Sequence, residues 1–539
     1  MALAASIDVH SHALPASYLA ALAELGIDPV AEDGFPTPAW SEEGHLAFMD
    51  KTNQEFCVLS ISTPHINRGS NEQAARLARA VNDELAAICV RHPGRLGFSA
   101  LLPVPAVGES VEEARRCLDC PGAPCRTGCP VRVRIPEFIA KVAEGDFDAA
   151  WEILSAENTL PAVCGRVCPQ ENQCQKTCVR GKKGESVAIG RLERFVADYH
   201  RTRPQTAPAL PPKNGQKVAV VGSGPAGLAC AGELAKRGYS VTVFEALHTP
   251  GGVLAYGIPA FRLPKSILAE EIAGLEALGV TIQTDAVVGR TIPVEELLQT
   301  GFSAVFLGSG AGLPNFMGIP GETLCGVFSA NEWLTRINLM HAAEPGAATP
   351  LMPAKRAVVV GGGNVAMDAA RCALRCGAEV TVVYRRGREE LPARAEEVDH
   401  AEEEGVTFRL LTNPVEILGD EEGHVIGIRC DTMALGEPDE SGRRRPEVVP
   451  GAQFTVDCDA VIMAIGTTPN PLLHRTTAGL EADRRGRLLT EKESCRTTLP
   501  GVYAGGDAVT GAATVILAMG AGREAAAEID EDLRKKSSH

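Results

Sequence analysis

The sequence predicts an α/β protein in which a helical, cysteine-rich segment precedes two nested Rossmann-like units, with a partial (β/α) barrel-like segment at the N-terminus. Three observations carry this expectation. A glycine fingerprint follows a short apolar strand in KVAVVGSGPAG, Lys217–Gly227. The same pattern returns at Arg356–Arg371. Eight of the 17 cysteines crowd between Cys117 and Cys178.

Composition sets the bounds. A chain of 539 residues holds about three or four domains. Apolar content of 45% and charged content of 22% belong to an ordinary globular protein. The net charge of −16 argues against a nucleic-acid surface. No apolar run approaches the roughly 20 residues that span a bilayer. The start, MALAASIDVHSH, carries no basic region or long apolar core, so a cytoplasmic location is expected. Without an export signal, clustered cysteines favour metal ligation over disulfides.

Residues 1–107 open with a strand at Ser6–Val9 and the run Asp8-Val9-His10-Ser11-His12. An H-x-H at a strand end points both imidazoles to one side, as a metal site needs. A second strand at Phe56–Ser62 leads to Thr63-Pro64-His65, and a helix at Asn71–Val90 to a third strand ending at Leu101-Leu102-Pro103. The segment resembles the first third of the amidohydrolase-related metal-dependent decarboxylases, a (β/α)8-barrel family whose first two metal ligands match His10 and His12. The match ends after about three strands, too few to close a barrel. The expectation is a remnant that packs on the rest, or an assembly surface.

Residues 108–200 hold the cysteines. Cys117, Cys120, Cys125 and Cys129 stand at C-x2-C-x4-C-x3-C before Pro130. After a helical stretch at Ile135–Ala156, Cys164, Cys168, Cys174 and Cys178 stand at C-x3-C-x5-C-x3-C. Thiolates this close wrap a compact soft centre, and a Cys-Pro at a block's end often serves a second cluster. Zinc would also accept such thiolates. The segment resembles the N-terminal iron–sulfur domain of glutamate synthase small subunits and dihydropyrimidine dehydrogenases. That resemblance implies two [4Fe–4S] clusters with interleaved ligands. Cys117, Cys120, Cys125 and Cys178 would hold one. Cys129, Cys168 and Cys174 would hold the other, with Glu193 as its fourth ligand. Cys164 matches a family cysteine that is not a ligand and reads as packing.

Arg201–Gly215, proline-rich and polar, reads as a semi-rigid linker. In the next unit (216–325 and 465–539), Gly222 permits a tight turn, Gly224 lets backbone approach a pyrophosphate, and Gly227 packs helix on strand. Pro225 and Ala226 open the helix, whose N–H groups face the phosphates. Glu245 ends the second strand, where a carboxylate binds ribose hydroxyls. The paired glycines of Pro250–Pro259 allow a second loop to approach. In the resembled family this loop, with Gly252, Leu254 and Arg262, lies along FAD. Near the end, Gly506 and Asp507 precede Thr514, Val515 and a final helix running to about Leu533. By resemblance Asp507 binds the FAD ribityl chain and the helix points its N-terminus at the isoalloxazine, where a positive end stabilises anionic reduced flavin.

The second copy (326–464) reads Gly361, Gly362, Gly363, Asn364, Val365, with Ala366 at the third glycine position. Its acidic strand end is replaced by Tyr384-Arg385-Arg386, with Arg388 and Arg394 close by. Guanidinium groups pair with a 2′-phosphate that a carboxylate would repel, so NADPH is expected over NADH; the same arginines could instead face the acidic run Glu402–Glu404. A meander spans about Glu416–Thr455, with Arg443–Arg445 in a solvated turn.

Over about residues 109–535 the chain resembles glutamate synthase small subunits. The resemblance implies that NADPH reduces FAD, that two [4Fe–4S] clusters carry single electrons to a partner subunit or domain, and that the protein is oligomeric. No residue needs to act as acid or base. Without Cys-x-x-Cys or Cys-x4-Cys in the flavin domains, a disulfide reductase mechanism is not expected. The flavin subunit of a dihydropyrimidine dehydrogenase or of a ferredoxin–NADP transhydrogenase would read alike. A metal hydrolase or decarboxylase through His10 and His12, or a non-catalytic assembly subunit, are the readings from other classes.

Overall fold

The computed structural model describes residues 6–28, 38–61, 66, 71–100, 107–203, 210–438 and 444–537. The chain divides into two compact units, 1–112 and 113–539.

In the first unit, β1 (Ser6–Ala13), β2 (Gln54–Ile61) and β3 (Leu96–Phe98) form a parallel sheet in the order β1-β2-β3. Helices α1 (Ala16–Glu24), α2 (Glu42–Thr52) and α3 (Asn71–Arg91) accompany it. The buried residues of α3, Leu77, Val81, Leu85 and Ile88, recur at helical spacing and pack with Tyr18, Met49 and Leu59. The side chain of His12 is exposed. That of His10, all of Ser62–His65, and the expected strand end at Leu101–Pro103 lie outside the described residues.

After a short helical turn at Pro124–Thr127, the second unit runs through α4 (Ile135–Glu144), α5 (Phe147–Glu157), α6 (Pro161–Val167) and α7 (Ile189–Arg201). The stretch expected as one helix over Ile135–Ala156 is two. Gly145, at φ +81°, closes α4, and Asp146 accepts from Ala149 N at 3.1 Å to cap α5.

A Rossmann-like unit comes next, with β4 (Lys217–Val221), α8 (Pro225–Lys236), β5 (Ser240–Phe244), α9 (Lys265–Ala277), β6 (Thr281–Gln283) and β7 (Ala304–Leu307). The chain leaves through β8 (Leu313–Pro314) into β9 (Val327–Ser329), α10 (Ala330–Asn338), β10 (Arg356–Val360), α11 (Asn364–Arg375), β11 (Glu379–Val383), α12 (Ala395–Glu403) and β12 (Thr407–Arg409). A meander of β13 (Thr412–Gly419), β14 (Val425–Pro438) and β15 (Arg444–Asp457) leads to β16 (Ala460–Met463). β17 (Thr467–Thr468) pairs antiparallel with β8, so the outgoing and returning chains are stitched together. β18 (Val502–Ala504) and α13 (Val515–Ser537) complete the first copy.

Both large sheets are parallel, in the orders β18-β7-β4-β5-β6 and β12-β11-β10-β16-β9. In each, the fingerprint strand is central and fully buried past its first residue, as apolar runs of Val and Ala on a two-sided sheet require. The crevice beyond the strands' carboxyl ends, beside β4 in one sheet and β10 in the other, is where such folds take ligands.

Candidate functional site

The first cradle is shaped by backbone. Gly222 sits at φ +98°, and a Cβ there would stand 2.6 Å from the carbonyl oxygen of Gly308. A Cβ at Gly227 would overlap the carbonyl oxygen of Gly222. Gly224 forms the N-cap of α8 and faces open space, as close approach of a pyrophosphate needs. Gly252, at φ +54°, lies against Gly224, where a Cβ would meet its Cα at 2.8 Å, so the second loop closes on the fingerprint.

Glu245 is buried at the end of β5. Its Oε2 accepts from Ser223 N at 2.9 Å and Ser223 Oγ at 2.5 Å, and its Oε1 from Leu247 N at 2.8 Å. Oε1 keeps a further lone pair for a ribose hydroxyl, whereas both of Oε2 are taken by Ser223. Ser223 Oγ in turn accepts from Gly251 N at 2.8 Å, joining both loops through one hydroxyl. Burial pushes Asp507 up to about 6; its carboxylate accepts from Ala513 N at 3.3 Å. Burial pushes Tyr256 up to about 12, and the charges of Glu245 and Asp507 push in the same direction. Gly506, at φ +66°, brings this turn against Ala226 of α8.

Two residues expected along the flavin have protein partners of their own. The Leu254 side chain is fully buried, and its carbonyl accepts from Lys265 Nζ at 2.9 Å. Arg262 points to the second copy: its guanidinium lies 2.7 Å from Asp368 and 3.0 Å from Glu397. The adjacent Phe261 ring lies beneath Arg371 and Arg375, whose guanidinium carbons are 4.3 and 4.1 Å from its centroid. This pair is a joint between the copies. Asp368 lies one helical turn inside the second fingerprint, and no spacing rule links it to a residue 106 positions earlier.

The second cradle repeats the first. Gly361, at φ +143°, would clash with the carbonyl oxygen of Ala464 if it carried a Cβ. Gly363 caps α11 and faces open space. Val365 is 44% exposed, Ala366 fully buried. Asn364 Oδ1 accepts from Arg394 N at 2.9 Å. The arginines divide. Arg385 is exposed at the strand end. Arg386 is buried, its Nε donating to the carbonyl of Arg444 at 2.9 Å. Arg388 pairs with Glu402 and Asp399. Arg394 lies 2.9 Å from Glu171 and 3.0 Å from Glu396. Arg444, expected in a solvated turn, begins β15 and reaches Glu390 at 2.6 Å; Arg443 lies outside the described residues.

The cysteines fall into two groups. Cys117, Cys120, Cys125 and Cys178 line one cavity with apolar neighbours such as Ile135 and Ile189. Burial pushes Cys125 up to about 11. Cys129, Cys168 and Cys174 are buried, and the Glu193 carboxylate adds repulsion to each thiolate. Burial also pushes Glu193 up to about 8. Desolvated thiols stay protonated alone but ionise on a metal, so three thiols and a carboxyl gathered away from water fit a metal centre. Asn158, 1% exposed, donates Nδ2 to Glu193 Oε1 at 2.6 Å and accepts from Leu160 N at 3.0 Å. Nothing local in the sequence marks it. Cys164 is fully buried, 3.6 Å from Asn158 Oδ1 and 3.5 Å from Met519 Sδ.

That last contact belongs to a seam between the cysteine helices and α13. Gln173 Nε2 donates to Thr514 Oγ1 at 3.3 Å, just before Val515 opens α13. A Cβ on Gly520 would stand 3.2 Å from the carbonyl oxygen of Pro130. Arg523 donates to Val131 O at 2.6 Å and to Glu157 Oε2 at 2.8 Å. The group around Cys129 therefore abuts the helix that starts beside Asp507.

Residues 216–522 match the pyridine nucleotide-disulphide oxidoreductase family, and residues 101–205 match dihydropyrimidine dehydrogenase domain II, 4Fe-4S cluster. The chain is 42% identical over 438 residues to the NADP(+)-dependent formate dehydrogenase subunit beta of Moorella thermoacetica, covering 77% of this chain and 60% of that one. It is 39% identical over 428 residues to the glutamate synthase [NADPH] small chain of Halomonas elongata, covering 77% and 89%. The chain thus spans less than two thirds of the formate dehydrogenase subunit. The structure of Mycobacterium tuberculosis FprA in complex with NADPH shares the fold, with a TM-score of 0.51 at 22% identity over 60% of this chain and 86% of that one. No helix among the described residues is long and apolar enough to cross a membrane.

Proposed function

The chain belongs to the pyridine nucleotide-disulphide oxidoreductase family and is a relative of glutamate synthase small chains; on that premise we propose that it oxidises NADPH and delivers electrons singly, through two [4Fe–4S] clusters, to a partner protein. The partner is a large-subunit-like protein of the kind a glutamate synthase small chain implies.

When bound, FAD accepts hydride from NADPH and parts with its two electrons one at a time, and the clusters carry them singly. The chain's own residues hold these groups. The N-termini of α8 and α11 face the two pyrophosphates, Glu245 takes a ribose, and Arg385 takes the 2′-phosphate. Asp507 would hold the ribityl chain, and the end of α13 bearing Thr514 and Val515 would supply its N–H groups to the flavin. Cys129, Cys168, Cys174 and Glu193 hold the inner cluster; Cys117, Cys120, Cys125 and Cys178 hold the outer one. Oxidising one NADPH releases one NADP+, one proton and two electrons, so two one-electron acceptors are reduced.

The seam at α13 is the observation that carries this reading. Gln173, between Cys168 and Cys174, touches Thr514 directly before α13, and Cys164 touches Met519 on that helix. The thiols are built against the nucleotide unit, as electron passage requires.

Anaerobically purified protein is expected to show flavin bands with a broad iron–sulfur shoulder, both bleached by NADPH. It should carry about eight iron atoms and about eight sulfides per chain. A colourless protein retaining zinc overturns the reading, and about four iron atoms overturns the second cluster.

A further inference from the structure

The two cysteine groups differ in what lies outside them. Cys129, Cys168 and Cys174 are buried behind α13, whereas Cys117, Cys120, Cys125 and Cys178 are only half-buried. Between Cys117 and Cys120, Leu118 is 55% exposed. Around it the chain is basic. Arg126, Lys176, Arg180, Lys182 and Lys183 are all exposed, against Asp119 and Glu185. These stretches, 117–129 and 174–185, carry a local excess of three positive charges in a protein whose net charge is −16.

The two stretches make one surface. Thr177 Oγ1 donates to Pro124 O at 3.0 Å, and a Cβ on Gly128 would stand 2.7 Å from Thr177 Oγ1. Arg180 lines the same cavity as the four thiols. Other cations of this unit are paired: Arg191 with Glu396, Arg394 with Glu171, Arg371 with Glu397. The five rim cations form no ion pair among the described residues. Unpaired, exposed charge of one sign around an apolar centre is what steers and seats an oppositely charged protein.

We propose that the rim of the Cys117, Cys120, Cys125 and Cys178 cavity is the docking surface for an acidic one-electron carrier protein, with Leu118 at its apolar centre. The assignment rests on the functional reading above, in which electrons leave through this cluster, and makes the carrier a second acceptor beside the large-subunit-like partner. Each docked carrier takes one electron, so two are reduced for each NADPH converted to NADP+ and a proton. Contacts of this kind are small and transient, and their rates are governed by charge.

The test uses the full chain, loaded with its cofactors, and three acceptors: uncharged menadione, an acidic [2Fe–2S] ferredoxin and a basic cytochrome c. Ferredoxin reduction should fall about tenfold or more between about 20 and about 200 mM NaCl, while menadione reduction holds. Lys182→Glu/Lys183→Glu should lower kcat/KM for ferredoxin about tenfold or more, leave menadione unchanged and not lower cytochrome c reduction. Arg126→Glu, on the other cysteine loop, should act in the same direction, and Lys182→Arg/Lys183→Arg should behave as wild type. Iron content unchanged across these variants shows that docking, not cluster assembly, was altered. Equal ferredoxin rates in the wild type and the Glu variants overturn the proposal. So does a wild-type protein that reduces menadione but not ferredoxin. A wild-type protein that oxidises NADPH with none of the acceptors breaks the functional reading, and the docking with it.

Discussion

The two fingerprints are nearly the same backbone with opposite chemistry at the strand end. Gly222 and Gly361 both turn at positive φ against a carbonyl oxygen, and Gly224 and Gly363 both cap a helix that faces open space. A pyrophosphate makes the same demand of each, and only backbone can meet it so closely. Glu245 stands directly after β5, whereas Tyr384 and Arg385 stand directly after β11. Nucleotide identity is written in side chains while phosphate binding is written in glycines. The copies can therefore be broken in separate ways.

The largest effect is expected where they differ in backbone. Gly227→Ala places a methyl on the Gly222 carbonyl, whereas the equivalent Ala366 already carries one and is fully buried. Gly227→Ala should cost about 3 kcal/mol and strip most of the flavin, seen as a lower Tm and a lost flavin band. Ala366→Gly should cost about 1–2 kcal/mol, from helix propensity and one buried methyl. Comparable losses would mean that the two turns are not equivalent.

Next comes the strand end. Arg385→Glu should raise KM for NADPH about tenfold to a hundredfold and leave KM for NADH within about twofold, because only the 2′-phosphate loses a charged partner. Arg386→Ala should instead lower Tm, since that guanidinium is buried on the Arg444 carbonyl. Equal shifts with both nucleotides in Arg385→Glu would remove the 2′-phosphate from this strand end.

These variants also mark how far the sequence was legible. The cradles could be read because G-x-G-x-x-G fixes a local turn, and the cysteine blocks because closely spaced thiols stand out along the chain. Arg262 could not, because its partners Asp368 and Glu397 are distant in sequence and lie in the other copy. Arg386 could not, because the strand that covers it begins 58 residues later. The break between α4 and α5 was available in Gly145-Asp146, a glycine stop followed by an N-cap. Its apolar spacing on both sides hid it.

A third contrast lies in titration. Asp507 follows β18 in the flavin copy, and burial lifts it from an ordinary value of 3.8 to about 6. The unfolded chain then loses that proton first as pH rises. In flavin-free protein this group's contribution to stability should fall between about pH 4 and about pH 6 and stay low above. Asp507→Asn removes the dependence, so the denaturation midpoint of wild type relative to variant should drop across that window. The drop should be on the order of 1–2 kcal/mol after allowing for partial exposure. A flat difference would mean that Asp507 is ionised throughout.

The smallest effect concerns Arg394, which the sequence puts on the nucleotide and the structure holds elsewhere. Its guanidinium is paired with Glu171 and Glu396, while its backbone N–H steadies Asn364 at the fingerprint. The backbone contact survives Arg394→Ala, and the lost pairs are partly exposed ion pairs worth less than about 1 kcal/mol. KM for NADPH should therefore change by less than about threefold in Arg394→Ala, against about tenfold or more in Arg385→Ala. Glu171→Gln should move it still less. If Arg394→Ala instead matched Arg385→Ala, the guanidinium would have to leave Glu171 when nucleotide binds. Both arginines would then share the 2′-phosphate, and the second cradle would close on its ligand rather than stand ready for it.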